Sequence, residues 1–91
     1  MNLAFTPQGW EDYSYWQETD PQISKRIRQL IKDALRDPHH GIGKPEPLKH
    51  ALQGCWSRRI TSEHRMVHQV SKGELLIMQL RYHYECSARS C

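Results

Sequence analysis

The chain has no apolar run longer than the four residues 75–78, which excludes a membrane-spanning helix of about 20 residues. It has no C-x-x-C pair. Its cysteines, Cys55, Cys86 and Cys91, are odd in number and scattered, which argues against a disulfide framework and for a reduced, cytoplasmic setting. His39 and His40 are adjacent and no cysteine joins them, so zinc-ligand spacing is missing too. The opening MNLAFTPQGW lacks the basic and apolar segments of a signal peptide. GIGK is too short for a phosphate-cradling loop and lies outside a strand-to-helix junction. Apolar residues make up only 37% of the 91, and mean hydropathy is -0.82. One domain with a thin core is expected.

What is present is ordered from helix to strand. Residues 2–5 form a short run ended by Thr6-Pro7, expected as an edge strand. Pro7–Thr19 reads as a helix capped by Thr6, with Trp10, Tyr13 and Trp16 on one aromatic face. Asp20-Pro21 opens a second helix. Its residues Ile23, Ile27, Leu30, Ile31, Ala34 and Leu35 make the stripe of an amphipathic helix that stops at Asp37-Pro38. Residues 38–47 hold three of the five prolines and two of the five glycines and read as a loop. The period then changes to two, which predicts strands over 55–61, 65–70 and 74–84 joined as antiparallel hairpins. On the last, Leu76, Met78, Leu80 and Tyr82 are expected to face one way, and Leu75, Ile77, Gln79, Arg81 and His83 the other. The predicted architecture is α+β: two N-terminal helices packed on one face of a twisted antiparallel sheet. The other face is expected to carry Arg59, Arg81, His83 and Arg65.

Net charge is +3, but residues 1–43 hold five Lys/Arg against six Asp/Glu, and residues 44–91 hold eight against four. The excess begins in the stretch KPEPLKH, where Pro45 and Pro47 stiffen the backbone around Glu46. An acid held this way beside a cationic sheet face suits metal-free cleavage of RNA through its own 2′-OH. That reaction needs a base for the hydroxyl, an acid for the departing 5′-oxygen, and fixed positive charge for the transition state. Glu46 is the candidate base and His83 the candidate acid. Arg59, Arg65 and Lys49 would supply the charge, and Tyr82 or Tyr84 a stacking surface. Each also has a plain structural reading. Glu46 would be a solvated loop carboxylate, His83 a surface imidazole, Arg59 and Arg65 partners of Glu63 across a hairpin, and His68 a buried, hydrogen-bonded histidine.

The stretches WEDYSYWQETD, GKPEPLKH, WSRRITSEHRMV and RYHY resemble the YoeB toxins of type II toxin–antitoxin systems, within the RelE/ParE superfamily, over residues 1–84. The resemblance implies a RelE-like fold of the microbial-ribonuclease type. It implies a ribosome-dependent endoribonuclease that cuts messenger RNA in the A site without a metal or other cofactor and so inhibits translation. It also implies a cytoplasmic location, a YefM-like antitoxin as partner, contacts to ribosomal RNA, and homodimers. By position, Glu46 matches the general base, His83 the general acid and Arg65 the arginine at the transition-state phosphate. Lys49 and Arg59 match supporting cations, and Tyr84 the tyrosine that positions the RNA. Residues 85–91 run past the usual end of such chains and are expected to form a flexible tail, in which Cys86 and Cys91 would pair only on oxidation. The same superfamily contains ParE-like toxins that bind gyrase rather than cut RNA; Glu46 together with a late histidine argues against that alternative.

Overall fold

The computed structural model describes residues 1–82; His83, Tyr84 and the 85–91 tail lie outside the described residues. Strand β1 (Asn2–Phe5) leads into α1 (Pro7–Thr19) and α2 (Pro21–Arg36), followed by β2 (Glu46–Pro47), a 3₁₀ turn (His50–Leu52), β3 (Trp56–Arg59), β4 (Arg65–Ser71) and β5 (Glu74–Gln79). The helix ends follow the local chemistry. Thr6 Oγ1 accepts from the Gly9 amide at 3.0 Å. Asp20 accepts from the amides of Gln22 and Ile23 at 3.1 and 3.2 Å, with proline at the first helical position of both helices. Gly9 lets α1 press against β5, since an added Cβ would collide with the Ile77 carbonyl.

The sheet order is β1-β5-β4-β3-β2. As expected, β3, β4 and β5 are antiparallel, but β1 pairs parallel with β5, so the sheet is mixed. A right-handed crossover is not needed to see why: α1 and α2 intervene and return the chain, giving the parallel partner the long connection it requires. Residues 46–47, expected as loop, add a fifth strand at the edge, where proline costs no ladder bond. The hairpin between β4 and β5 turns on Lys72 and Gly73, both at positive φ (52° and 77°).

Both helices cover one face. Trp16, Ile27, Leu30, Ile31 and Ala34 pack there on Ile60, Met66, Leu75, Ile77 and Leu80. A smaller cluster of Leu48, Cys55 and Val67, with Leu52 and Met78 against it, lies on the opposite face. The expected division of the last strand is therefore corrected. Leu75 and Ile77 face the helices, and Leu80 joins them. Val67 pairs with Gln79 while His68 pairs with Ile77, so Met78 is the extra residue of a β-bulge that shifts the alternation by one. The ladder ends at Gln79, and Arg81 does not reach the open face: its guanidinium lies 3.8 Å from the Tyr15 ring centroid on α1. In α1 the aromatic face is split. Trp16 is buried, whereas Trp10 is exposed.

His68 is buried as the plain reading had it, its Nε2 donating to the Pro38 carbonyl at 3.0 Å, and burial holds its pKa below the ordinary 6.5. A folded-state value below the unfolded one means that the unfolded chain takes up the proton first. Stability is then full above pH 6.5 and declines as pH falls below it. The Arg36 and Arg58 guanidiniums hold the Asp33 carboxyl below its ordinary 3.8, so a second decline begins under that value. Thermal melts across pH 3–8 are expected to show both, and His68→Gln, which keeps a donor for Pro38, to flatten the first. A melting temperature constant from pH 7 to pH 5 in the wild type would contradict this.

Candidate functional site

Pairing register decides which side chains share the open face, because directly opposed residues point the same way. Glu46 opposes Ser57, which opposes Val67; Arg59 opposes Arg65. Val67 belongs to the cluster remote from the helices. Glu46, Ser57, Arg59 and Arg65 therefore lie on the same, helix-free face, with Leu48, Cys55, Val67 and Met78 as its apolar floor. Arg65 is two strands away from Glu46 and two residues along, a Cα separation of about 12 Å at usual strand spacings. That separation between the two backbones leaves room on the shared face for a phosphodiester.

Each group is held by its own neighbourhood. Glu46 is exposed, pinned between Pro45 and Pro47 and paired with Ser57 in the ladder. Arg65 is half-buried. Its Nη1 donates to the Thr61 and Ser62 carbonyls at 3.1 and 3.3 Å, which tethers it to its own hairpin rather than to Glu63. Arg59 is exposed at the end of β3, its amide donating to the Gly43 carbonyl at 2.7 Å and its carbonyl accepting from Arg26 Nη2 at 3.3 Å. Lys49 stands off the strands, exposed at the start of the 3₁₀ turn. Among the described residues, none of Glu46, Lys49, Arg59 and Arg65 is in an ion pair, so their charge is available to a ligand. No group of three or more metal-ligating side chains occurs among the described residues.

The backbone around these groups is strained. Among the described residues, four non-glycine residues have positive φ: Lys44, His50, Lys72 and Tyr82. Lys72 is accounted for by its hairpin. The others lie two residues before Glu46, one after Lys49, and one before His83. Strain of this kind persists only where surrounding contacts impose it. At the last position those contacts are visible: the Tyr82 amide donates to His64 Nδ1 at 2.7 Å, and the Tyr82 carbonyl accepts from the Arg65 amide at 2.9 Å. The peptide that continues to position 83 thus starts against Arg65.

The sequence reading missed Arg58. Its neighbour Arg59 faces outward, but Arg58 is fully buried: Nη1 meets Asp33 Oδ2 at 2.7 Å and the Ile42 carbonyl at 3.1 Å, and Nη2 meets the carbonyls of Asp37 and His40 at 2.7 and 3.0 Å. It gathers the loop that delivers Glu46. The signal was available in WSRRI, where period two puts Arg58 on the same face as Trp56 and Ile60.

A family model described as the YoeB-like toxin of bacterial type II toxin–antitoxin systems matches residues 5–84. The toxin YoeB of Escherichia coli strain K12 is 58% identical over 84 residues, covering 92% of this chain and 100% of that one. A solved YoeB/ParE toxin from Agrobacterium tumefaciens has a TM-score of 0.89 at 49% identity, covering 92% of this chain and 100% of its own. YoeB from Staphylococcus aureus, solved as a dimer and in complex with YefM, gives TM-scores of 0.85 and 0.84 at 45% and 44% identity, over 92% of this chain and 98% of each.

Proposed function

The chain belongs to the YoeB-like toxins of bacterial type II toxin–antitoxin systems, and from that premise we propose that it is a ribosome-dependent endoribonuclease that cuts messenger RNA in the A site. The observation that carries the reading is the shared open face of Glu46 and Arg65, with the Tyr82 carbonyl on the Arg65 amide. In the proposed reaction the Glu46 carboxylate takes the proton of the 2′-OH, and the 2′-oxygen attacks the neighbouring phosphorus. Arg65, with Arg59 and Lys49, neutralises the charge that grows on the non-bridging oxygens. His83 protonates the leaving 5′-oxygen, and Tyr84 stacks on a splayed base. The products are a 2′,3′-cyclic phosphate and a 5′-hydroxyl.

Glu46, Lys49 and Arg59 are exposed, so little positioning of them comes from the protein alone; the ribosome supplies the rest. Exposed cations of α2, among them Lys25 and Lys32, would meet ribosomal RNA through salt-sensitive phosphate contacts. The Staphylococcus aureus relative assembles with YefM and as a dimer, which supports a YefM-like antitoxin and a homodimer here, in the cytoplasm. The antitoxin would fold over the basic face, its ordering cost offset by buried contact. Primer extension on ribosome-bound message tests the reading: cleavage within the A-site codon is expected. Intact message in cells that first suffer DNA damage would instead favour gyrase binding.

A further inference from the structure

Residues 80–82 follow the last ladder pair of β5, and the backbone groups of these residues are met mostly by side chains. The Leu80 amide donates to Asp12 Oδ2 at 2.9 Å, and the Leu80 carbonyl accepts from Trp16 Nε1 at 2.9 Å. The Arg81 carbonyl accepts from Gln79 Nε2 at 3.0 Å. The Tyr82 amide donates to His64 Nδ1, as above. A backbone amide can only donate, so His64 Nδ1 carries no proton and its ring holds the Nε2–H tautomer. Asp12 is an unusual residue to bury, at 2% exposure. Its other oxygen accepts from Gln8 Nε2 at 2.8 Å, which fixes the carboxylate in place. Trp16 stacks edge-on against His64, at 4.9 Å between centroids, so α1 also sets the imidazole plane.

Neither Asp12 nor His64 is on the open face. What they share is the chain that leads out of β5 and, through Tyr82, stands against Arg65. We propose that Asp12 and His64 are positioning residues: by accepting the Leu80 and Tyr82 amides they hold the Tyr82 carbonyl against the Arg65 amide, the point from which the chain continues to His83. The inference rests on the nuclease reading above, since it assigns these residues a role in that reaction. It also explains the positive φ of Tyr82: a conformation few non-glycine residues adopt is imposed by bonds to its amide and its carbonyl.

A purely structural role for a buried carboxylate predicts lost stability and proportionate loss of everything else. Positioning predicts a specific pattern, read in the full chain by single-turnover cleavage of message on programmed ribosomes, with rates normalised to the folded fraction from thermal melts. Asp12→Ala and His64→Ala are each expected to lower the maximal rate on the order of 10²-fold, the cost of a reacting group misplaced by about 1 Å, with half-saturating ribosome concentration changed by less than about twofold. Asp12→Asn and His64→Asn, which keep an acceptor at the same place, are expected to retain activity within about fivefold. In a His83→Ala background the same alanine substitutions are expected to cost less than about twofold, because they act through the group already removed. Amide exchange at Leu80 and Tyr82 should accelerate in the alanine variants and not in the asparagine ones. Full maximal rates in both alanine variants, or equal losses with and without His83, would overturn the proposal. A His83→Ala enzyme as active as wild type would instead remove the nuclease reading, and the proposal with it.

Discussion

Glu46→Gln is expected to lower the rate of message cleavage on the ribosome by about 10³-fold, within the range that a positioned general base contributes. The substitution keeps the shape and the proline-braced backbone and removes only the ability to take a proton. Because Glu46 is exposed and meets its neighbours through the ladder rather than through its carboxylate, the melting temperature should move by less than about 3 °C, as for a typical surface change. Binding of a YefM-like antitoxin should survive for the same reason. This separates chemistry from folding. A variant that cleaves within about tenfold of wild type would show that the ribosome or another group supplies the base.

Arg58→Leu is expected to have the opposite signature: a large loss of stability from a residue that never touches substrate. Truncating one partner of a buried ion pair costs about 3–5 kcal/mol. Here the carbonyls of Asp37, His40 and Ile42 lose their donors in addition. In a domain whose whole stability is about 5–15 kcal/mol, the melting temperature should fall by about 15 °C or more. Arg59→Ala, one residue away and on the open face, should shift it by only about 3 °C while weakening RNA binding and flattening its salt dependence. Equal melting temperatures for the two variants would contradict the placement of Arg58. So would an Arg58→Leu protein whose 37–43 loop amides exchange no faster than wild type.

The contrast between these neighbours shows how far the residues alone could be read. Both helices were legible to their last residues, because their caps, prolines and apolar stripe all agree over short range. Pairing between β3, β4 and β5 was legible for the same reason. The parallel partnership of β1 with β5 joins residues more than seventy positions apart, and no local pattern announces such a contact. The two-residue β2 was hidden by prolines that argue for a loop everywhere except at a sheet edge. The bulge at Met78 defeated strict alternation, and with it the placement of Leu75, Ile77, Leu80 and Arg81. Of the site, a braced Glu46 and a basic half could be argued from chemistry. Arg65 as a source of charge, His83 as the acid and Tyr84 as a stacking surface could be argued as candidates the same way, and family resemblance matched each to its role by position; these roles stay proposals, and His83 and Tyr84 lie outside the described residues. Asp12 and His64 could not have been found at all, since a lone carboxylate on a helix and a histidine in a hairpin carry no pattern until the fold brings the end of β5 between them.

The account stands on attack by the RNA's own 2′-oxygen, activated across the open face between Glu46 and Arg65. The most direct test is single-turnover cleavage of a ribosome-bound message carrying one 2′-deoxynucleotide on the 5′ side of the scissile phosphate. The account predicts no cut at that bond, and a 2′,3′-cyclic phosphate with a 5′-hydroxyl from the all-ribose message. Cleavage of the deoxy-substituted bond at the ribose rate would contradict it.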